Sequence, residues 1–153
     1  MKSMAELIRE HPFAAGLAEA HIDTIAGCAK NVVFEPGANM IREGQPADVF
    51  YLIRQGRVAT EVYSPRGGAY VLNTLGANEI LGVSWIVPPY RSTSDARATD
   101  QVRAFAFDAV CLRGKCEADP ALGYALMKRF VPVLVQRLSS ARLQALDLFG
   151  ANA

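Results

Sequence analysis

The chain has 153 residues, 51% of them apolar, which is enough to bury one core of its own and leaves no room for a second full domain. Sixteen Lys and Arg face fifteen Asp and Glu, a net charge of +1, so no strong field draws it to nucleic acid or to an anionic membrane, and affinity for an anion has to come from a local site. Cys28, Cys111 and Cys116 are an odd set without C-x-x-C spacing, which argues against a disulfide framework and against a zinc or iron–sulfur centre, while the lack of a signal-type or membrane-length apolar run predicts a soluble cytoplasmic protein.

The first 30 residues read as helical. Ser3 with Glu6 three positions on forms a capping box, Leu7 and Ile8 face inward, and Pro12 ends the segment. A second helix is expected from about Ala14 to Ala29, with Leu17, Ile22 and Ile25 as its stripe and Gly27 near its exit. Residues 31–107 change character to short β-type runs, Val32 to Phe34, Val49 to Ile53, Val58 to Tyr63, Tyr70 to Leu75 and Val102 to Phe107, broken by Pro36-Gly37, Gly44, Gly56, Gly67-Gly68, Gly76 and Gly82. Many short strands at near-regular spacing predict a β-roll or jelly roll.

Residues 108–150 return to a helical period. Asp108 caps a short helix to about Glu117, and Asp119-Pro120 supplies a cap and a first-turn proline for a long one. The long helix carries Leu122, Leu126, Phe130, Leu134 and Leu138, and Pro132 is expected to kink it. The fold class is therefore mainly β with flanking helices (α+β), as one domain over residues 1–153.

This order of elements, with Phe34-Glu35-Pro36-Gly37, Ile41-Arg42-Glu43-Gly44-Gln45-Pro46-Ala47-Asp48 and Tyr51-Leu52-Ile53-Arg54-Gln55-Gly56, resembles the cyclic-nucleotide-binding domain of the Crp/Fnr regulator family over nearly the whole chain. The resemblance implies that Gly37, Gly44, Gly56 and Gly76 hold turns of the roll. It also implies a phosphate-binding cassette in Gly82-Val83-Ser84-Trp85-Ile86-Val87-Pro88-Pro89-Tyr90-Arg91-Ser92-Thr93. A cyclic phosphodiester needs a guanidinium and N–H donors, which Arg91 and the Ser92 and Thr93 backbone would supply. Where the family carries a ribose-binding glutamate this chain has Val83, with Ser84 as a substitute acceptor, and Trp85 reads as a core plug beneath the cassette. Gln136, Ser139 and Ser140 on the long helix are the base-contact candidates. Phe130, Leu134 and Leu138, with Leu146 and Phe149 beyond them, exceed what one roll can cover and predict a parallel homodimer.

Only His11 and His21 are available as imidazole ligands, both in the N-terminal segment, and no G-x-S-x-G elbow occurs, so neither a cupin metal centre nor a hydrolase site is expected. The family's DNA-binding helix-turn-helix has no counterpart before Ala153, which predicts a stand-alone module without direct nucleic-acid contact. The expected function is a sensor, not an enzyme, that needs no cofactor, binds cyclic AMP or cyclic GMP and signals through its last helix to a partner protein. The alternative is a degenerate roll kept for dimerisation or scaffolding.

Overall fold

The alternation of large and small side chains along two strands divides the interior into two compartments. In β8 (Val102–Asp108) Phe105 and Phe107 point to one face while Val102, Ala104 and Ala106 point to the other, and in β3 (Val49–Gln55) Phe50 and Leu52 alternate in the same way with Tyr51 and Ile53. The first set packs under the helices. The second, with Met40, Val58, Leu75, Leu81, Ala96 and Ala98, fills the inside of the roll.

The computed structural model describes residues 1–151, with side chains through Leu148. The roll consists of two four-stranded antiparallel sheets. One has the order β1 (Ala29–Phe34), β8, β3, β6 (Ile80–Leu81), and the other β2 (Asn39–Ile41), β7 (Asp95–Ala98), β4 (Val58–Ser64), β5 (Gly68–Leu75). The five expected strands are present. Strands β2, β6 and β7 escape a propensity reading because they are two to four residues long, and β7 is Asp-Ala-Arg-Ala, whose alanines are chosen for the narrow interior rather than for strand preference.

Helix α1 (Met4–Arg9) has both halves of the capping box: the Glu6 N–H donates to Ser3 Oγ at 3.2 Å and the Ser3 N–H to Glu6 Oε2 at 3.3 Å. The second helix is shorter than expected. A 3₁₀ turn at Pro12–Ala14 and a left-handed Gly16 interrupt the segment, so α2 covers only Glu19–Ala26, Leu17 is buried outside it, and Ala29 already pairs with Phe107 in the sheet. Asp108 caps α3 (Ala109–Ala118) by accepting the Cys111 N–H at 3.0 Å. Asp119 accepts the Ala121 and Leu122 N–H groups at the start of α4 (Pro120–Ala151), which continues in helical conformation through Pro132.

An aromatic cluster joins these parts. Phe50 stacks on Trp85 at 4.8 Å and on Phe107 at 4.7 Å, and meets Phe130 of α4 edge-on at 5.2 Å. Phe130 also touches Trp85 at 5.4 Å and Phe13 at 5.8 Å. This corrects the place of Phe130 in the expected dimer: with no exposed surface, it is spent on the chain's own core and faces no partner. Leu134 is half-buried and Leu138 exposed, while the side chain of Phe149 lies outside the described residues. Phe130→Ala is expected to lower the unfolding free energy by about 3–5 kcal/mol in urea titrations, because a cavity forms where four rings meet. Leu143→Ala, on exposed helix surface, is expected to change it by less than about 0.5 kcal/mol.

Candidate functional site

The cassette starts where β6 runs out. Gly82 has φ +96°, a conformation that L side chains rarely adopt, and a Cβ there would press on Phe50 Cβ and Ile41 Cδ1 at 3.4 Å. Val83 then precedes a 3₁₀ turn, Ser84–Ile86, whose central Trp85 drops into the aromatic cluster as the expected plug. The chain returns along the β2–β3 loop under tight backbone control. The Ala47 N–H donates to the Tyr90 carbonyl at 2.7 Å, the Gly44 N–H to that of Ser92 at 2.8 Å, and the Ser92 N–H to that of Gln45 at 3.0 Å. From α3, Arg113 donates to the Trp85 carbonyl at 2.7 Å and to that of Ala47 at 3.3 Å, with its guanidinium 4.3 Å over the Tyr90 ring.

A small cavity of about 50 Å³ lies inside this frame. Gly82, Val83, Ser84, Ser92 and Thr93 line it together with Thr60, Ser94 and Trp85, so five of the six predicted cassette residues come together. Arg91 is the one that does not. It pairs with Pro46 in an isolated antiparallel bridge, and the alternation of side chains along that extended stretch turns Ser92 inward and Arg91 out, where its Nη1 donates to the Gly44 carbonyl at 2.9 Å. The Ser92 N–H, bonded to Gln45, is likewise not free to cradle an anion in this conformation. Val83 packs against the helix-side core, and Trp85 Nε1 is buried without a hydrogen-bond partner.

The guanidinium that does line the cavity is Arg137 of α4, which was not among the residues expected at the site. Its Nη2 donates to the Ile80 carbonyl, and burial lowers its pKa from the usual arginine value against a raising influence of Glu79. The signal was there in the spacing: Arg137 follows the buried Phe130 by seven residues, two helical turns, and so sits on the buried face. Arg137 also lines a second, larger cleft of about 660 Å³ between α4 and the end of β5. Gln136 and Ser140, two of the three base-contact candidates, open into that cleft beside Asn73 and Asn78, whereas Ser139 is exposed and lines neither space.

Among the described residues no helix is long and apolar enough to cross a membrane, and no group of three His, Cys, Asp or Glu side chains could hold a metal ion. A roll of this topology, closed over a hydroxyl-lined cassette cavity by a long helix, defines a class of small-molecule-binding regulatory domain. The family model for the cyclic nucleotide-binding domain matches residues 31–119, and the chain belongs to that family. It is 27% identical over 145 residues to a CRP-like cAMP-activated global transcriptional regulator of Mycobacterium tuberculosis, a match that covers 95% of this chain and 63% of the length of that protein. Among solved structures it is similar to a Geobacter metallireducens protein named for cyclic nucleotide binding, with 30% identity, a TM-score of 0.80, and coverage of 90% of this chain and 99% of that one. It shares its fold with the catabolite activator protein of Thermus thermophilus, at 22% identity and a TM-score of 0.68, over 91% of this chain and 63% of that one.

Proposed function

We propose that this chain is a sensor in which a cyclic nucleotide, cyclic AMP before cyclic GMP, binds at the cassette with its phosphate facing Arg137, and in which α4 carries the response to a partner protein. The observation that carries this reading is the position of Arg137, a half-buried cation bordering both the cassette cavity and the cleft beside α4. About 50 Å³ is well below the roughly 300 Å³ at which ligand sites begin. If Arg137 leaves the Ile80 carbonyl, the cavity joins the 660 Å³ cleft, which puts the hydroxyls of Ser84, Ser92 and Thr93 on one side of a single site and Gln136 and Ser140 on the other. An anionic phosphate gives the guanidinium a stronger partner than a neutral carbonyl, so ligand binding and the movement of α4 are one event. The name of the M. tuberculosis relative supports cyclic AMP as the first ligand to try. Cytoplasmic localisation and the absence of a catalytic step and of direct nucleic-acid contact belong to the same proposal.

The second reading is the roll that has lost its ligand, favoured by Val83 packed into the core where a ribose acceptor is expected and by the engaged Ser92 N–H. Calorimetry with cyclic AMP and cyclic GMP separates the two. The sensor reading expects saturable binding that Arg137→Ala weakens by about one to two powers of ten, the loss of a charge-assisted hydrogen bond of about 1.5–3 kcal/mol, while Arg91→Ala costs less than about tenfold. No heat from either nucleotide with the wild-type chain would leave the scaffold reading standing.

The homodimer is proposed on a seam one residue away from the core stripe. Tyr124, Met127, Val131, Leu134, Leu138 and Ala141 follow one another at alternating intervals of three and four on the outer face of α4, the pattern of a two-stranded coiled coil. Sedimentation at micromolar concentration is expected to give a dimer, and Leu138→Asp, which would bury an unpaired carboxylate in the seam, a monomer with an unchanged far-ultraviolet spectrum. A wild-type chain that sediments as a monomer would remove the seam from the account.

A further inference from the structure

We propose that Cys28 and Cys111 form a dithiol modification site that a hydroperoxide converts to a disulfide, cross-linking the start of the first sheet to α3. The two residues lie 83 positions apart, yet their Sγ atoms are 2.7 Å from each other, within reach of the 2.03–2.05 Å bond. Backbone bonds hold both in place. The Cys28 N–H donates to the Ile25 carbonyl at 3.0 Å, the Asp108 N–H donates to the Cys28 carbonyl at 2.8 Å, and the Cys111 N–H is taken by the Asp108 carboxylate. A surface cavity of about 270 Å³ lined by Cys28, Cys111, Lys30 and Asp108 opens beside the pair, with room for a small peroxide.

Cys116 is no competing partner for Cys28. It follows Cys111 by five residues on α3, about 140° further around the helix, and borders a different cleft beside Trp85, Tyr90 and Met127.

The buried Cys28 thiol is pushed up to about 12, first by desolvation and then by its contact with the Cys111 sulfur, so it keeps its proton. Cys111, the less buried of the two, is therefore the sulfur that reacts first. Its thiol proton passes to solvent and the sulfur attacks the terminal oxygen of R–OOH. The O–O bond breaks, an alcohol or water leaves, and Cys111 becomes a sulfenic acid. The Cys28 sulfur then attacks the sulfenic sulfur. The S–O bond breaks as the S–S bond forms, and the departing hydroxide takes the Cys28 proton as water. Two thiols give up two electrons to the hydroperoxide, and no further reagent is needed.

The cross-link would fix α3, whose Arg113 holds the Trp85 carbonyl, against the sheet, but the chemistry stands whether or not the cassette takes a nucleotide. The test uses the full chain, fully reduced and then treated with a few equivalents of hydrogen peroxide, followed by thiol titration under denaturing conditions and intact mass. The wild type is expected to lose two of its three thiols and about 2 Da, and Cys116→Ser to show the same loss of mass. Cys28→Ser and Cys111→Ser are expected not to show it. Non-reducing peptide mapping of the oxidised wild type decides the pairing even if a variant fails to fold. A Cys28–Cys111 peptide supports the site, whereas three persisting thiols, a cross-link through Cys116, or a gain of oxygen without a disulfide overturns it.

Discussion

Phe50 lies between two flat partners, with Trp85 on one face and Phe107 on the other, and Phe130 closes the stack edge-on. Each ring belongs to a different part of the chain: Phe50 and Phe107 to neighbouring strands of one sheet, Trp85 to the cassette, Phe130 to the long helix. None of the four is more than 1% exposed. Stacked and edge-on rings contribute about 0.5–1.5 kcal/mol per pair beyond the area they bury, so the cassette cannot shift its anchor without disturbing the seat of α4. The sheet, the cassette and the helix form one mechanical unit through this contact.

Helix α4 divides its residues by face. Leu122, Leu126 and Phe130 are buried on the chain's own core, Arg137 continues that face beyond the end of the apolar floor, and Tyr124, Met127, Val131 and Leu138 look outward. A half-buried arginine on the inner face of a helix is a costly choice unless its charge has a use, since desolvation weighs against it and among the described residues a single carbonyl, with Glu79 nearby, answers it. Its place at the cassette cavity gives that use a chemical form. In the proposed function the same helix meets an anion through Arg137 and another chain through the neighbouring exposed residues such as Leu138.

Much of this was legible beforehand because it rests on local chemistry. The Ser3 capping box, the Asp108 and Asp119 caps, the five longer strands and Trp85 as a plug follow from hydrogen bonds and apolar runs a few residues long. What could not be read depends on the third dimension. The four-residue strand β7 is specified by the width of the roll, Arg91 faces outward where it meets Pro46 in an isolated bridge, and Phe130 and Leu138 look alike in a list of apolar residues although the first is buried and the second, two turns further along α4, is exposed. Cys28 and Cys111 are the extreme case, since no spacing rule joins residues that the register of β1 and β8 brings together.

In the proposed function a ligand at the cassette acts on α4 through the aromatic cluster and Arg137. Trp85 is the only tryptophan of the sequence, belongs to the cluster and lines the cassette cavity together with Arg137, so its emission reports on that region. The direct measurement is the emission spectrum of the full chain titrated with cyclic AMP, with the uncyclised 5′-monophosphate as control. A saturable change in the position and intensity of the Trp85 band is predicted with the cyclic nucleotide, and Arg137→Ala is predicted to shift it to concentrations about ten to a hundred times higher. A Trp85 spectrum that stays fixed to millimolar cyclic AMP and cyclic GMP would contradict it.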